Sequence, residues 1–340
     1  MNNKAHIDKY IELRPIYKKL SEKVAQLIEE ALEINKVNYH IVNYRAKAID
    51  SFSSKISKPK YDDPLNQLND LAGIRIIGYV EDDVKIISES IQDLFDIDGD
   101  NSLDKSQELG VDRVGYKSVH FICELPADRI KLLEYKRYKG LKFEIQIRTI
   151  LQHSWAEIEH DKNYKFAGKL PNEIQRRFKL IAGSLEMADR EFNQLSREID
   201  SYSNDVKTNT EKGELDIPIN STSLKQFLKV KFKKGTSKGV IKPDFNGLEI
   251  LVIEELKHFG ISRLEELNKI LPENLEETII KYRENTNFIG LIRNILMIND
   301  EDKYFKKAWK NNWAGLTFET IKILEQYDVD INKINIYLAS

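Results

Sequence analysis

Phe143-Glu144-Ile145-Gln146-Ile147-Arg148-Thr149 alternates apolar and polar side chains. Successive side chains of a strand point to opposite faces, so Phe143, Ile145 and Ile147 share one face and Glu144, Gln146 and Arg148 the other. The first set belongs to a core. The second is a row of acid, amide and guanidinium. Such a carboxylate can hold a magnesium ion or accept a proton, and such a guanidinium can pair with phosphate oxygens. Half-exposed strands also alternate for no reason beyond solvation, and on this run alone a solvated polar face is the more ordinary reading.

Two further strands read out on either side. The β-branched stretch 71–80 (Leu-Ala-Gly-Ile-Arg-Ile-Ile-Gly-Tyr-Val) predicts a buried strand, and residues 116–125 predict another. Between them, Asp82 reads as the N-cap of a helix to about residue 95, followed by a long polar loop over 96–114 with room for a short strand. Helices are expected over 150–164 and, from the first-turn Pro171, over 171–202. Upstream, an amphipathic helix over 7–35 is expected to break near Pro15, and a second, basic helix spans 39–56. The polar stretch 204–223 reads as a linker. Beyond it, helical patterns fill 248–259, 263–270, 275–282, 288–297, 303–311 and 318–327. The expectation is an α/β (α+β) fold in three parts: residues 1–203 with a mixed sheet flanked by helices, a linker over 204–223, and a mainly α-helical accessory domain over 224–340.

Bulk properties exclude more than they assign. The 340 residues carry a formal net charge of -2, which argues against a whole-molecule field suited to nucleic acid or an anionic membrane. The polar N-terminus lacks a signal-peptide core and no apolar run approaches spanning length, so a cytoplasmic protein with no membrane partner is expected. The single cysteine, Cys123, cannot form an internal disulfide and reads as a packed thiol.

Several polar constellations have chemical potential. Lys47, Ser51 and Lys55 recur every fourth residue and could grip a triphosphate, although charge runs are usually solvated faces. Asp70 lies at the mouth of the 71–80 strand. Strict alternation puts it on the opposite face from Arg75, so the two can share a site only if the strand begins after Asp70 or bends at Gly73. Tyr116, Ser118 and His120 alternate onto one face and offer a ring for stacking a base. His153, Glu157 and His160 share a helical face; their spacing is not that of a zinc protease, and a face turned toward a phosphate-bearing cleft is preferred over a metal site.

Each piece is ordinary alone. In order, the basic Arg45-x-Lys47 segment, Asp70-Leu-Ala-Gly-Ile-Arg-Ile, Gly115-Tyr-Lys-Ser-Val-His, Glu144-Ile-Gln-Ile-Arg-Thr and Gln152-His-Ser-Trp-Ala-Glu-Ile-Glu-His-Asp resemble the synthetase domain of the RelA/SpoT family. The resemblance covers a little over the middle third of the chain.

It implies a nucleotidyltransferase-like synthetase that moves pyrophosphate from ATP to the 3'-hydroxyl of GDP or GTP, a GTP diphosphokinase activity using Mg2+. By the same resemblance Arg45, Lys47, Ser51, Lys55 and Arg75 grip ATP, and Asp70 and Glu144 are the metal-binding carboxylates, Glu144 doubling as base. Tyr116 stacks on the acceptor guanine, and His120, Gln146, Arg148 and His153 contact the acceptor. Too few residues precede Arg45 for the family's hydrolase domain, so synthesis without hydrolysis is expected. The loop 104–113 looks more like the toxic branch of small alarmone synthetases. This keeps an alternative open: pyrophosphorylation of the 3' end of tRNA or of adenosine nucleotides, held in check by a C-terminal domain that responds to a protein trigger.

Overall fold

The computed structural model describes residues 3–58, 60–104, 118–165, 170–283 and 285–339. Their contacts divide the chain into two compact units, Met1–Ser196 and Arg197–Ser340.

In the first unit, helix α1 (Asn3–Ile34) precedes strand β1 (Ile41–Ala46) and helix α2 (Ile49–Ile56). Strands β2 (Ala72–Gly78), β3 (Asp96–Ile97), β4 (Leu103–Asp104), β5 (Val119–Glu124) and β6 (Phe143–Thr149) follow, with helix Glu81–Leu94 between β2 and β3. The sheet runs β1-β2-β6-β5-β3, with β4 also on β5. Among the described strands of this sheet, β2 and β6 pair in parallel and the other pairings are antiparallel. The mixed sheet flanked by helices is as expected. Its apolar residues, among them Ile74, Ile76, Phe143, Ile145 and Ile147, join Tyr10, Leu20, Val24 and Ile28 of α1 in one buried cluster. Burying such side chains contributes about 1.5–3 kcal/mol each.

Four expectations are corrected. The helix over 39–56 is instead β1, a turn and α2, because Ile41-Val42-Asn43-Tyr44-Arg45-Ala46 finds a ladder partner in β2. Helix α1 does not break at Pro15 but runs through it. Proline forfeits one ladder bond there, and buried Tyr10, Tyr17, Leu20 and Val24 fix the helix on both sides. Helix Glu81–Leu94 has Val80, not Asp82, at its N-cap; Asp83 supplies the capping carboxylate, accepting from the Tyr79 and Val80 amides at 3.0 and 3.1 Å. Residues 204–212 of the expected linker are helical, within Asn172–Lys212, with Val206 and Thr210 buried.

The second unit is mainly helical, as expected, with helices Ser221–Lys231 and Ile331–Ala339 beyond those anticipated. Among its described strands, Ile241–Lys242 and Thr286–Asn287 pair in parallel. A buried carboxylate sits inside its apolar core. Glu255 accepts two bonds from Arg293 (2.7 and 3.1 Å), one from the Tyr304 hydroxyl (3.2 Å) and one from Asn312 (3.0 Å). No described helix of the chain is long and apolar enough to cross a membrane.

This network gives a stability prediction. Arg293→Met should leave the Glu255 charge buried without its cation and destabilise the unit by roughly 3–5 kcal/mol in chemical denaturation. Adding Glu255→Leu should recover most of that loss; a single variant as stable as the parent chain would contradict the reading.

Candidate active site

The parallel pairing of β2 with β6 builds the site. Gly73 lies beside Glu144 and Arg75 beside Gln146. On the outer side Arg45 faces Gly73 and Asn43 faces Arg75; on the inner side His120 faces Gln146. Neighbours in register point to the same face of a sheet, so one polar surface crosses four strands. Strand β2 begins at Ala72, which leaves Asp70 in the preceding turn and frees it from the alternation that separates it from Arg75. Asp70, Arg75 and Glu144 line one open cleft, together with Asn43, Tyr44, Arg45, Gly73 and Gln146. A Cβ added at Gly73 would meet nothing nearer than Arg45, at 3.9 Å, so this position keeps the cleft floor low.

Both carboxylates are held ionised. Burial alone would raise the Asp70 pKa, but the Lys47 ammonium at 2.5 Å and the Lys55 ammonium at 2.9 Å, both on Oδ2, hold it below the usual carboxylate range. The other oxygen, Oδ1, is buried with no hydrogen-bond partner among the described residues. Glu144 repeats the pattern. Burial raises its pKa and the Asp70 charge adds to this, yet hydrogen bonds from His120 (2.8 Å) and Gln146 (3.0 Å) bring the net shift below the ordinary value. A hydrogen-bonded chain extends outward on each side of Glu144. His120 Nε2 meets the Ser118 hydroxyl at 2.7 Å, and Arg148 donates to Gln146 Oε1 at 2.8 Å.

The expected site residues are therefore placed unequally. Asp70, Glu144, Arg45, Arg75 and Gln146 line the cleft, and Lys47 and Lys55 converge on Asp70. They do so from a turn and from α2, not from one continuous basic helix; Ser51 is exposed one turn before Lys55. Both ring nitrogens of His120 are engaged within the protein, and buried Arg148 orients Gln146 from behind. His153, on helix Ile150–Lys165, has an imidazole whose pKa is lowered by burial and then by the charge of Arg75. Arg75 is itself steadied by Glu157 of that helix at 2.6 Å. Tyr116 lies outside the described residues.

The sequence reading missed Asn43 and Tyr44, which line the cleft from β1. The signal was there in two adjacent β-branched residues and a tyrosine, 41–44. It also missed Tyr10 and Arg14 of α1, which donate to the Lys47 carbonyl at 2.7 and 3.0 Å. No spacing in the chain announces those contacts.

With this geometry in view, similarity to known proteins is informative. A family model described as the region found in RelA / SpoT proteins matches residues 44–169. GTP pyrophosphokinase YjbM of Bacillus subtilis (strain 168) is 27% identical over 164 residues, covering 46% of this chain and 72% of that protein. GTP pyrophosphokinase YwaC of the same organism is 26% identical over 170 residues, covering 46% and 73%. The crystal structure of small alarmone synthetase 1 from Bacillus subtilis aligns with a TM-score of 0.49 at 24% identity, covering 57% of this chain and 99% of that one. The cleft strands β2, β5 and β6 all fall inside the matched region. Residues 44–169 thus match the RelA/SpoT family region, and the chain is similar across it to two GTP pyrophosphokinases.

Proposed function

We propose that the protein is a pyrophosphotransferase that moves the β,γ-pyrophosphoryl group of ATP to the 3'-hydroxyl of GDP or GTP, giving a guanosine alarmone and AMP. The observation that carries this reading is the meeting of Asp70 and Glu144 in one cleft beside Arg45, Lys47, Lys55 and Arg75. The naming of two homologues as GTP pyrophosphokinases supports the reaction type. We assign pyrophosphate transfer to the first unit of the chain, and an accessory role to its helical unit.

The residues divide the work as follows. Arg45, Lys47, Lys55 and Arg75 surround the triphosphate and stabilise the charge that builds on its oxygens during transfer. Glu144, ionised and steadied by His120 and Gln146, takes the proton of the 3'-hydroxyl as its oxygen bonds to the β-phosphorus; the bond to the α,β-bridging oxygen breaks and AMP leaves. Gln146 and His153 orient the acceptor, and Tyr116 stacks on its base. The donor set fits Mg2+: Asp70 Oδ1 is a buried acceptor with no donor among the described residues, and this ion is usually bound by one or two carboxylates plus substrate phosphates. Held by Asp70 and Glu144, Mg2+ would supply neutralisation of phosphoryl charge.

Incubation with β-labelled ATP and GDP, GTP, ATP or deacylated tRNA should put label on the guanosine nucleotides; label on tRNA or ATP alone would refute the acceptor assignment in favour of the toxin reading. Glu144→Gln should abolish transfer in this assay, and an active variant would remove Glu144 as the base. Replacing His120 with alanine takes away a donor that holds the Glu144 pKa down. The carboxylate would then protonate at higher pH, so the acid limb of the pH–rate profile should move upward; an unmoved limb counts against the assignment. Gly73→Val should weaken ATP binding by about 1–3 kcal/mol through overfilling of the cleft floor, with thermal stability retained. Unchanged ATP affinity would show that the triphosphate lies elsewhere.

A further inference from the structure

The carbonyl of Lys47 lies outside the hydrogen-bond ladder of α2. The first acceptor of that ladder is the Ala48 carbonyl, which takes the Phe52 amide at 2.9 Å. Left to itself, a half-buried carbonyl one residue earlier would lack a partner. Two side chains from a distant part of the chain fill both of its lone pairs: the Tyr10 hydroxyl at 2.7 Å and the Arg14 Nε at 3.0 Å. They stand one turn apart on α1, so a single helical face delivers both donors. On its other side the Lys47 amide donates to the Leu71 carbonyl at 3.0 Å, next to Asp70. The main chain of Lys47 is therefore anchored in two directions, and its ammonium is left 2.5 Å from Asp70.

We infer that Tyr10 and Arg14 are positioning residues for ATP binding, acting through the Lys47 main chain to hold the ammonium of Lys47 over the phosphate subsite. The inference rests on the assignment of Lys47 to ATP made above. It extends the site to α1, which precedes residue 44, where the family match begins. The Tyr10 ring is fully buried and stacks on Phe52 of α2, with centroids 4.3 Å apart, so its hydroxyl has one place to go. Burial also pushes the phenol pKa up to about 12, which keeps the hydroxyl a donor throughout the neutral range. Arginine at position 14 supplies a planar guanidinium donor.

The test is a double-mutant cycle on the full chain, read as the dissociation constant of a non-hydrolysable ATP analogue, α,β-methylene-ATP, in isothermal titration. Tyr10→Phe keeps the stacked ring and deletes one hydroxyl; it should weaken the analogue by about fivefold, the usual worth of one hydrogen bond. Arg14→Met should do the same, Arg14→Lys should recover much of the loss by restoring a donor, and GDP affinity should stay constant in all three. In a Lys47→Met background, Tyr10→Phe should have no further effect, because its route to the phosphate is gone. An equal loss in both backgrounds, a matching loss of GDP affinity, or no loss at all would overturn the inference and leave Tyr10 and Arg14 as parts of the fold. Should Lys47→Met itself leave the analogue's affinity unchanged, the assignment of Lys47 to ATP falls first, and the role of Tyr10 and Arg14 falls with it.

Discussion

The parallel pairing of β2 with β6 is the constraint from which the site follows. These strands are separated by about half of the RelA/SpoT domain along the chain, yet their register sets Gly73 against Glu144 and Arg75 against Gln146. Side-chain period in a strand is two, so a slip of one residue in either strand would turn its polar groups into the core and bring its isoleucines, Ile74 and Ile76 or Ile145 and Ile147, into water. The apolar face thus fixes the polar one. Burial of the isoleucines in one cluster with α1 and helix Glu81–Leu94 selects the register, and the register delivers acid, amide and guanidinium to a common surface.

A second constraint is electrostatic. Two carboxylates facing one cleft, both largely withdrawn from water, repel each other and favour protonation. Each is offset by its own donors, Lys47 and Lys55 at Asp70, His120 and Gln146 at Glu144. Because the donors come from different elements, the ionised pair is a property of the assembled sheet and not of any one segment. The same reasoning links α1 to the chemistry: a helix that contributes nothing to the cleft wall fixes the main chain of Lys47 and so the position of one of those donors.

The strands that carry the site were legible because their alternation is unambiguous: β6 keeps Phe143, Ile145 and Ile147 at zero exposure, and its polar residues interleave with them. Asp70 and Arg75 were legible as candidates, but their shared face depended on where β2 begins, which only the ladder decides. Strand β1 was misread for a physical reason. It is an edge strand whose Ile41 and Tyr44 are 40% and 45% exposed, so its burial does not follow a clean period, while Lys47, Ser51 and Lys55 imitate a helical face through the turn. The contacts of Tyr10 and Arg14 with Lys47 span more than thirty residues of chain and leave no periodic trace. The polar run 204–212 is helical because two of its residues, Val206 and Thr210, are buried, a pattern too sparse to stand out in sequence.

The proposed function requires ATP to lie across the β2–β6 seam with its phosphates between Asp70 and Glu144. A crystal structure of the chain with α,β-methylene-ATP and Mg2+ tests this most directly. The triphosphate should rest over Gly73, with the ion between Asp70 and Glu144 and the Lys47 ammonium on a phosphate oxygen. A nucleotide seated away from this seam, or an ion that touches neither carboxylate, would contradict the account.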